Sequence, residues 1–159
     1  MADDPAPERF LDAVEERRLA VDLFNEVWRL MEHPARDASV DDRMLHAAHA
    51  SRYHWGEVGE PVNLVRGEWQ CSRVYAVLGR PEPAAWHARR CLELCQEHDI
   101  ADFDLAYAYE ALTRAARIAG DAAAVATWAE QARAAGGAIA EDDDRELFEK
   151  DLASAVDTA

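Results

Sequence analysis

The feature that most limits what this chain can become is the spacing of its helix breakers. They fall at Pro34, across Gly59 to Pro61, across Gly79 to Pro83, in "HDIADFD" (98–104), at Gly120–Asp121 and at Gly136–Gly137. Between them lie stretches rich in Ala, Leu, Arg and Glu, which are strong helix formers. Alanine is about a fifth of the chain, β-branched runs are missing, and no period-2 strand pattern occurs. Glycine past a helix end and proline just inside the next start follow the usual asymmetry of helix boundaries. The spacing predicts seven helices, near 7–32, 40–58, 62–78, 82–98, 104–119, 122–136 and 142–156. The last opens with "EDDD", acids suited to the positive end of a helix dipole.

The chain has 159 residues, enough for one domain that buries roughly 70% of the surface its unfolded form exposes. Its net charge is −15, which sets nucleic-acid binding at a disadvantage. The charge is uneven: residues 41–140 hold 14 acids and 10 arginines, so the excess sits at the two ends. No run approaches the ~20 apolar residues of a membrane span. The acidic start "MADDPAPERF" lacks the apolar core of a secretory leader. Three cysteines, an odd number, argue against a disulfide framework and for a reducing cytoplasm.

Helices joined by short turns form antiparallel pairs, and the pairs repeat. A shift of 41 residues lays Gly79 on Gly120, Arg73 on Arg114, Trp69 on Glu110 and Cys91 on Ala132. Both units read as helix, glycine turn, Ala-rich helix. This pattern resembles the tetratricopeptide repeat. Tyr75 precedes the turn at Gly79 and Ala84 and Cys91–Leu92 follow it; Gly120, Val125 and Ala132 take those places in the next unit. The usual repeat length is about 34 residues, so the chain is tetratricopeptide-like over 62–136 and the rest follows by continuation. "RYHWGEVGEPVNLVRGEWQCSRVYAVLGR" and "DFDLAYAYEALTRA" also resemble a group of small bacterial proteins, uncharacterised in activity. The implied fold is all-α. Helix pairs 7–58, 62–98 and 104–136, with a capping helix at 142–156, stack as a short solenoid within one domain, 1–159.

Helical projection divides the two central first helices. On 62–78, Leu64, Cys71, Val74, Tyr75 and Leu78 share a face, and Arg66, Trp69, Arg73, Ala76 and Val77 oppose it. On 104–119, Leu105, Ala108, Leu112, Ala115 and Ala119 share a face, and Tyr107, Glu110, Arg114, Arg117 and Ile118 oppose it. The resemblance implies that first helices turn toward a concave groove. Its floor would then hold Arg66, Trp69, Arg73, Tyr107, Glu110, Arg114 and Arg117. Guanidinium forks suit a carboxylate or phosphate, and Trp and Tyr supply contact area. The competing structural role is an internal pairing of Arg73 or Arg114 with Glu110 that fixes helix register.

Sites for chemistry are sparse. His46 and His49 lie three apart in "HAAHASRYH", with Tyr53 on the same side, but lack a third local ligand and the HExxH pattern. Solvated surface histidines are the simpler expectation. His54 borders the apolar stripe of Met44, Ala48, Ser51, Trp55 and Val58. His87 shows no partner. Cys91 and Cys95 read as packing residues, and Asp102 or Asp104 as a helix N-cap. No P-loop, GxGxxG or GxSxG occurs. The sequence thus predicts a cytoplasmic, noncatalytic module that binds a protein or acidic peptide and needs no cofactor. A self-associating homodimer and a histidine-based metal protein or enzyme are its rivals. Neither nucleic acid nor membrane is an expected partner.

Overall fold

The computed structural model describes residues 10–157. Over these the chain is seven helices without a strand: α1 (Ala13–Met31), α2 (Ala38–Val58), α3 (Pro61–Val77), α4 (Pro81–Glu97), α5 (Asp102–Ile118), α6 (Ala122–Gly136) and α7 (Asp142–Val156). Local chemistry sets the boundaries. The Asp12 carboxylate accepts from the N–H groups of Val14 and Glu15, and Glu15 accepts from the Asp12 N–H. That capping box starts α1 at residue 13, later than the 7 the sequence suggests; residues 7–9 lie outside those described. Asp37 and Asp121 cap α2 and α6. Pro61 and Pro81 open α3 and α4 at the position where a missing N–H costs nothing.

Three helices end in the same way. Gly79 (φ 67°), Asp99 (φ 52°) and Gly120 (φ 73°) are left-handed. After each, the next N–H returns to a carbonyl five residues back: Arg80 to Tyr75, Ile100 to Cys95, Asp121 to Ala116. These are Schellman closures, two on glycine and one on aspartate. One cap differs from expectation. The residue before α5 is Ala101, and neither Asp102 nor Asp104 caps the helix by its side chain. Asp102 instead reaches the Ala140 N–H, and Asp104 bonds Arg66.

Each helix packs against its chain neighbours, and α3 with α5 and α5 with α7 pack as well. The arrangement is solenoid-like, with the odd-numbered helices side by side. Apolar clusters sit between layers. Val27, Leu30, Met44, Cys71 and Val74 join α1, α2 and α3. Val65, Cys91, Leu94, Cys95 and Ala108 join α3, α4 and α5. Tyr107, Ala132, Ile139, Phe148 and Leu152 join α5, α6 and α7. The sequence projection divided α3 and α5 into two faces; the structure covers nearly all sides of both. On α3 even Gly67, Glu68, Gln70 and Ser72 are buried, because α2, α4 and α5 surround it.

Candidate functional site

A groove of about 490 Å³ opens between α1, α3, α5 and α7. Phe24 and Trp28 come from α1, Val65, Arg66 and Trp69 from α3, and Phe103, Asp104 and Tyr107 from α5. Asp144, Leu147 and Asp151 come from α7. Its walls are rings in mutual contact. Trp28 and Trp69 lie 5.6 Å apart between centroids, Trp69 meets Tyr107 edge-on at 5.6 Å, and Phe103 meets Tyr107 at 4.5 Å. Such contacts fix ring orientation beyond what area burial does. Trp69 packs against three apolar clusters at once, so its ring joins the layers as well as lining the groove.

Of the seven residues singled out from the sequence, Arg66, Trp69 and Tyr107 line this groove and Arg73, Glu110, Arg114 and Arg117 do not. The arginines have partners within the chain. Arg66 forms a fork with Asp104 at 2.8 and 3.0 Å. Glu110 is 1% exposed and takes Arg114 Nε at 2.7 Å, Arg73 at 3.8 Å and a long contact from the Trp69 indole N–H at 3.4 Å. Burial pushes the Glu110 carboxyl above its ordinary range, and Arg114 and Arg73 pull against it. Arg114 also donates to the Asp151 carbonyl and the Ser154 hydroxyl, and Arg117 to the Ser154 carbonyl at 2.6 Å. The Ser154 carbonyl belongs to the last turn of α7, where cations are favoured. Of the arginines expected to anchor an external anion, Arg114 and Arg117 therefore hold α7 in place, and Arg66 and Arg73 pair with acids of α5.

What remains at the groove is acidic. Three carboxylates, Asp104, Asp144 and Asp151, face one guanidinium, which Asp104 already binds. Asp151 accepts the Tyr107 hydroxyl at 2.7 Å. Burial, and then that carboxylate, pushes the Tyr107 phenol far above its ordinary value, so it stays a donor.

A second polar group lies between α2, α3 and α4. Glu68, 5% exposed, accepts Arg52 Nε at 2.8 Å and His87 Nδ1 at 2.7 Å. Gly67 gives Arg52 its path, since a Cβ there would stand 2.6 Å from the Arg52 Cδ. His87, for which the sequence offered no partner, is thus tied to a buried acid 19 residues earlier. His49 Nε2 pairs with the Tyr75 hydroxyl at 2.9 Å. Burial, with the nearby His87, lowers the His49 pKa, so this ring is neutral. His46 is exposed and His49 half-buried, so the two histidines expected to be solvated differ. His54 meets Glu16 of α1 at 2.5 Å. Among the described residues no three His, Cys, Asp or Glu side chains converge on a metal position.

The three cysteines are buried and unpaired. Burial, then Glu68, pushes the Cys71 thiol up to about 12, which removes it as a nucleophile. No helix among the described residues is long and apolar enough to cross a membrane. No family model matches the chain, and no curated protein or solved structure matches it significantly.

The sequence reading missed Phe24, Trp28, Phe103, Asp144, Leu147 and Asp151 at the groove, and Arg52 and Glu68 behind it. Glu68 left a trace: it is the one acid within α3, beside Gly67. Asp144 and Asp151 left none, since only the docking of α7 brings them to α3 and α5.

Proposed function

We propose that the protein is a cytoplasmic binding module whose groove takes a short segment of a partner protein bearing one large apolar side chain beside lysine or arginine. The observation that carries this reading is the contrast between the aromatic walls and the rim, where three carboxylates face a single, already paired arginine. Rings take up an aliphatic or aromatic side chain, and a cation near their faces gains further. The chain's net charge of −15 attracts such a segment over distance. An acidic peptide, the partner the sequence suggested, would meet like charge at the rim, and its arginine anchors are taken. Three buried, unpaired thiols suit a reducing compartment. The likeness to tetratricopeptide repeats belongs to the same proposal, supported by side-by-side odd-numbered helices that share the groove.

The test is calorimetric titration of two peptides differing only in charge, Lys/Leu/Phe against Glu/Leu/Phe. The basic peptide should bind, lose affinity as salt rises, and bind at least ten-fold more weakly to Asp144→Lys. Equal affinity for the acidic peptide, or no binding of the basic one, would overturn the reading.

A further inference from the structure

Away from the groove, the Arg52–Glu68–His87 group has the construction of an acid–base site. The Glu68 carboxylate sits in the interior and binds His87 Nδ1, so the ring edge left to the surface carries Nε2. That edge borders a cleft of about 280 Å³ formed with Glu82, Pro83, Trp86 and Arg89. The imidazole cannot swing. Tyr75 stacks on it at 5.6 Å with planes 13° apart, Trp86 stands against it at 4.8 Å, and the His49 ring lies 5.2 Å away with its plane tilted by 62°. Arg52 alone would neutralise Glu68; the second bond, to His87, fixes a tautomer and orientation. A carboxylate on Nδ1 with Nε2 open is how proteins ready an imidazole for proton or acyl transfer. Trp86 is 55% exposed although it is a large apolar ring, and its surface forms a wall of the cleft.

We propose that His87 is a nucleophile for acyl transfer from small activated esters whose apolar or aromatic part lies on Trp86. The Nε2 lone pair adds to the ester carbonyl carbon, and the carbon–oxygen bond to the aryloxide breaks. The Nδ1 proton shifts toward Glu68 as the ring becomes an acylimidazole. Water then adds to the acyl carbon, the carbon–nitrogen bond breaks, Glu68 returns the proton to the ring, and the proton released by water goes to the departed aryloxide. The sum is ester plus water giving carboxylic acid plus alcohol. Glu68 is a positioning residue and His87 the group that touches substrate.

The experiment uses the full chain and 4-nitrophenyl acetate near neutral pH. Exposed histidines such as His33, His46 and His98 give a rate linear in ester. The His87 site should add a saturable component, with an acetyl group trapped on His87 by acid quench and located by peptide mass mapping. His87→Gln should lower the saturable rate at least ten-fold, and His46→Gln should leave it unchanged. Glu68→Leu should remove it and Glu68→Gln, which keeps an acceptor for Nδ1, should restore part of it. Trp86 is exposed, so Trp86→Ala tests the cleft without endangering the fold and should raise KM at least three-fold. A purely linear rate, an unchanged KM in Trp86→Ala, or full activity in a folded His87→Gln would overturn the proposal.

Discussion

Two buried glutamates do most to decide what the side chains of this protein are free to do. Glu110 absorbs the positive charge of Arg73 and Arg114, so a stripe that reads as a cationic surface is internal. Removing one member of such a buried set costs far more than losing an exposed pair. Glu68 gathers Arg52 and His87, with Cys71 and His49 nearby. Burial, the largest single influence, pushes its carboxyl up. The His87 hydrogen bond and Arg52 together outweigh burial and hold it below its ordinary value. A carboxyl lowered on folding stabilises above its unfolded pKa, and that contribution is lost as pH falls toward the folded one. Wild type should therefore lose its advantage over Glu68→Gln as pH falls below the ordinary glutamate range of about 4. Urea midpoints measured across that range check this; a gap that does not narrow on acidification would contradict it.

At the scale of elements, α7 is the part whose placement matters most for the groove. Its ring Phe148, 1% exposed, lies against Gly136 at the end of α6. A Cβ at Gly136 would stand 2.3 Å from the Phe148 ring. Alanine for glycine in a helix ordinarily stabilises, by roughly 0.5–1 kcal/mol. Here the ring is enclosed and cannot yield, and overpacking of this kind costs about 1–3 kcal/mol. Gly136→Ala should therefore destabilise, read as a lower urea midpoint with unchanged helicity; a higher midpoint would show that Phe148 moves aside freely. The helix boundaries around this joint were legible in the sequence because caps and breakers act within a few residues. The choice of Gly136 as a packing site was not, because it depends on a side chain 12 residues away in another helix.

For the whole molecule, layered packing makes stability a sum over neighbouring helices. The clusters that join α1 through α5 contain no residue of α7, while the one built on Ile139, Phe148 and Leu152 depends on it. A chain ended at Gly137 should keep α1 to α5 folded and expose the apolar side of Tyr107 and Ala132. Circular dichroism should then show most of the helicity retained, with new binding of a hydrophobic dye and a lower melting temperature. Loss of all helicity would mean that the terminal helix is needed by every layer. The same truncation removes Asp144, Leu147 and Asp151 from the groove, so the basic peptide should no longer bind.

Breakers, caps and the absence of strand patterning sufficed to call for seven helices and an all-α, solenoid-like stack, since helix formation is governed by contacts a few residues apart. The repeat at 41 residues also laid Trp69 on Glu110 and Arg73 on Arg114 as equivalent positions. Only the tertiary structure decided what those residues face. A helix surrounded on several sides has no solvent side for periodicity to reveal, and α3 and α5 are both of that kind. Whether an arginine meets water, a ligand or a buried glutamate depends on how α7 docks and on which acids it carries in. That angle is set by packing of Phe148 and Leu152 among distant residues, which no local pattern encodes.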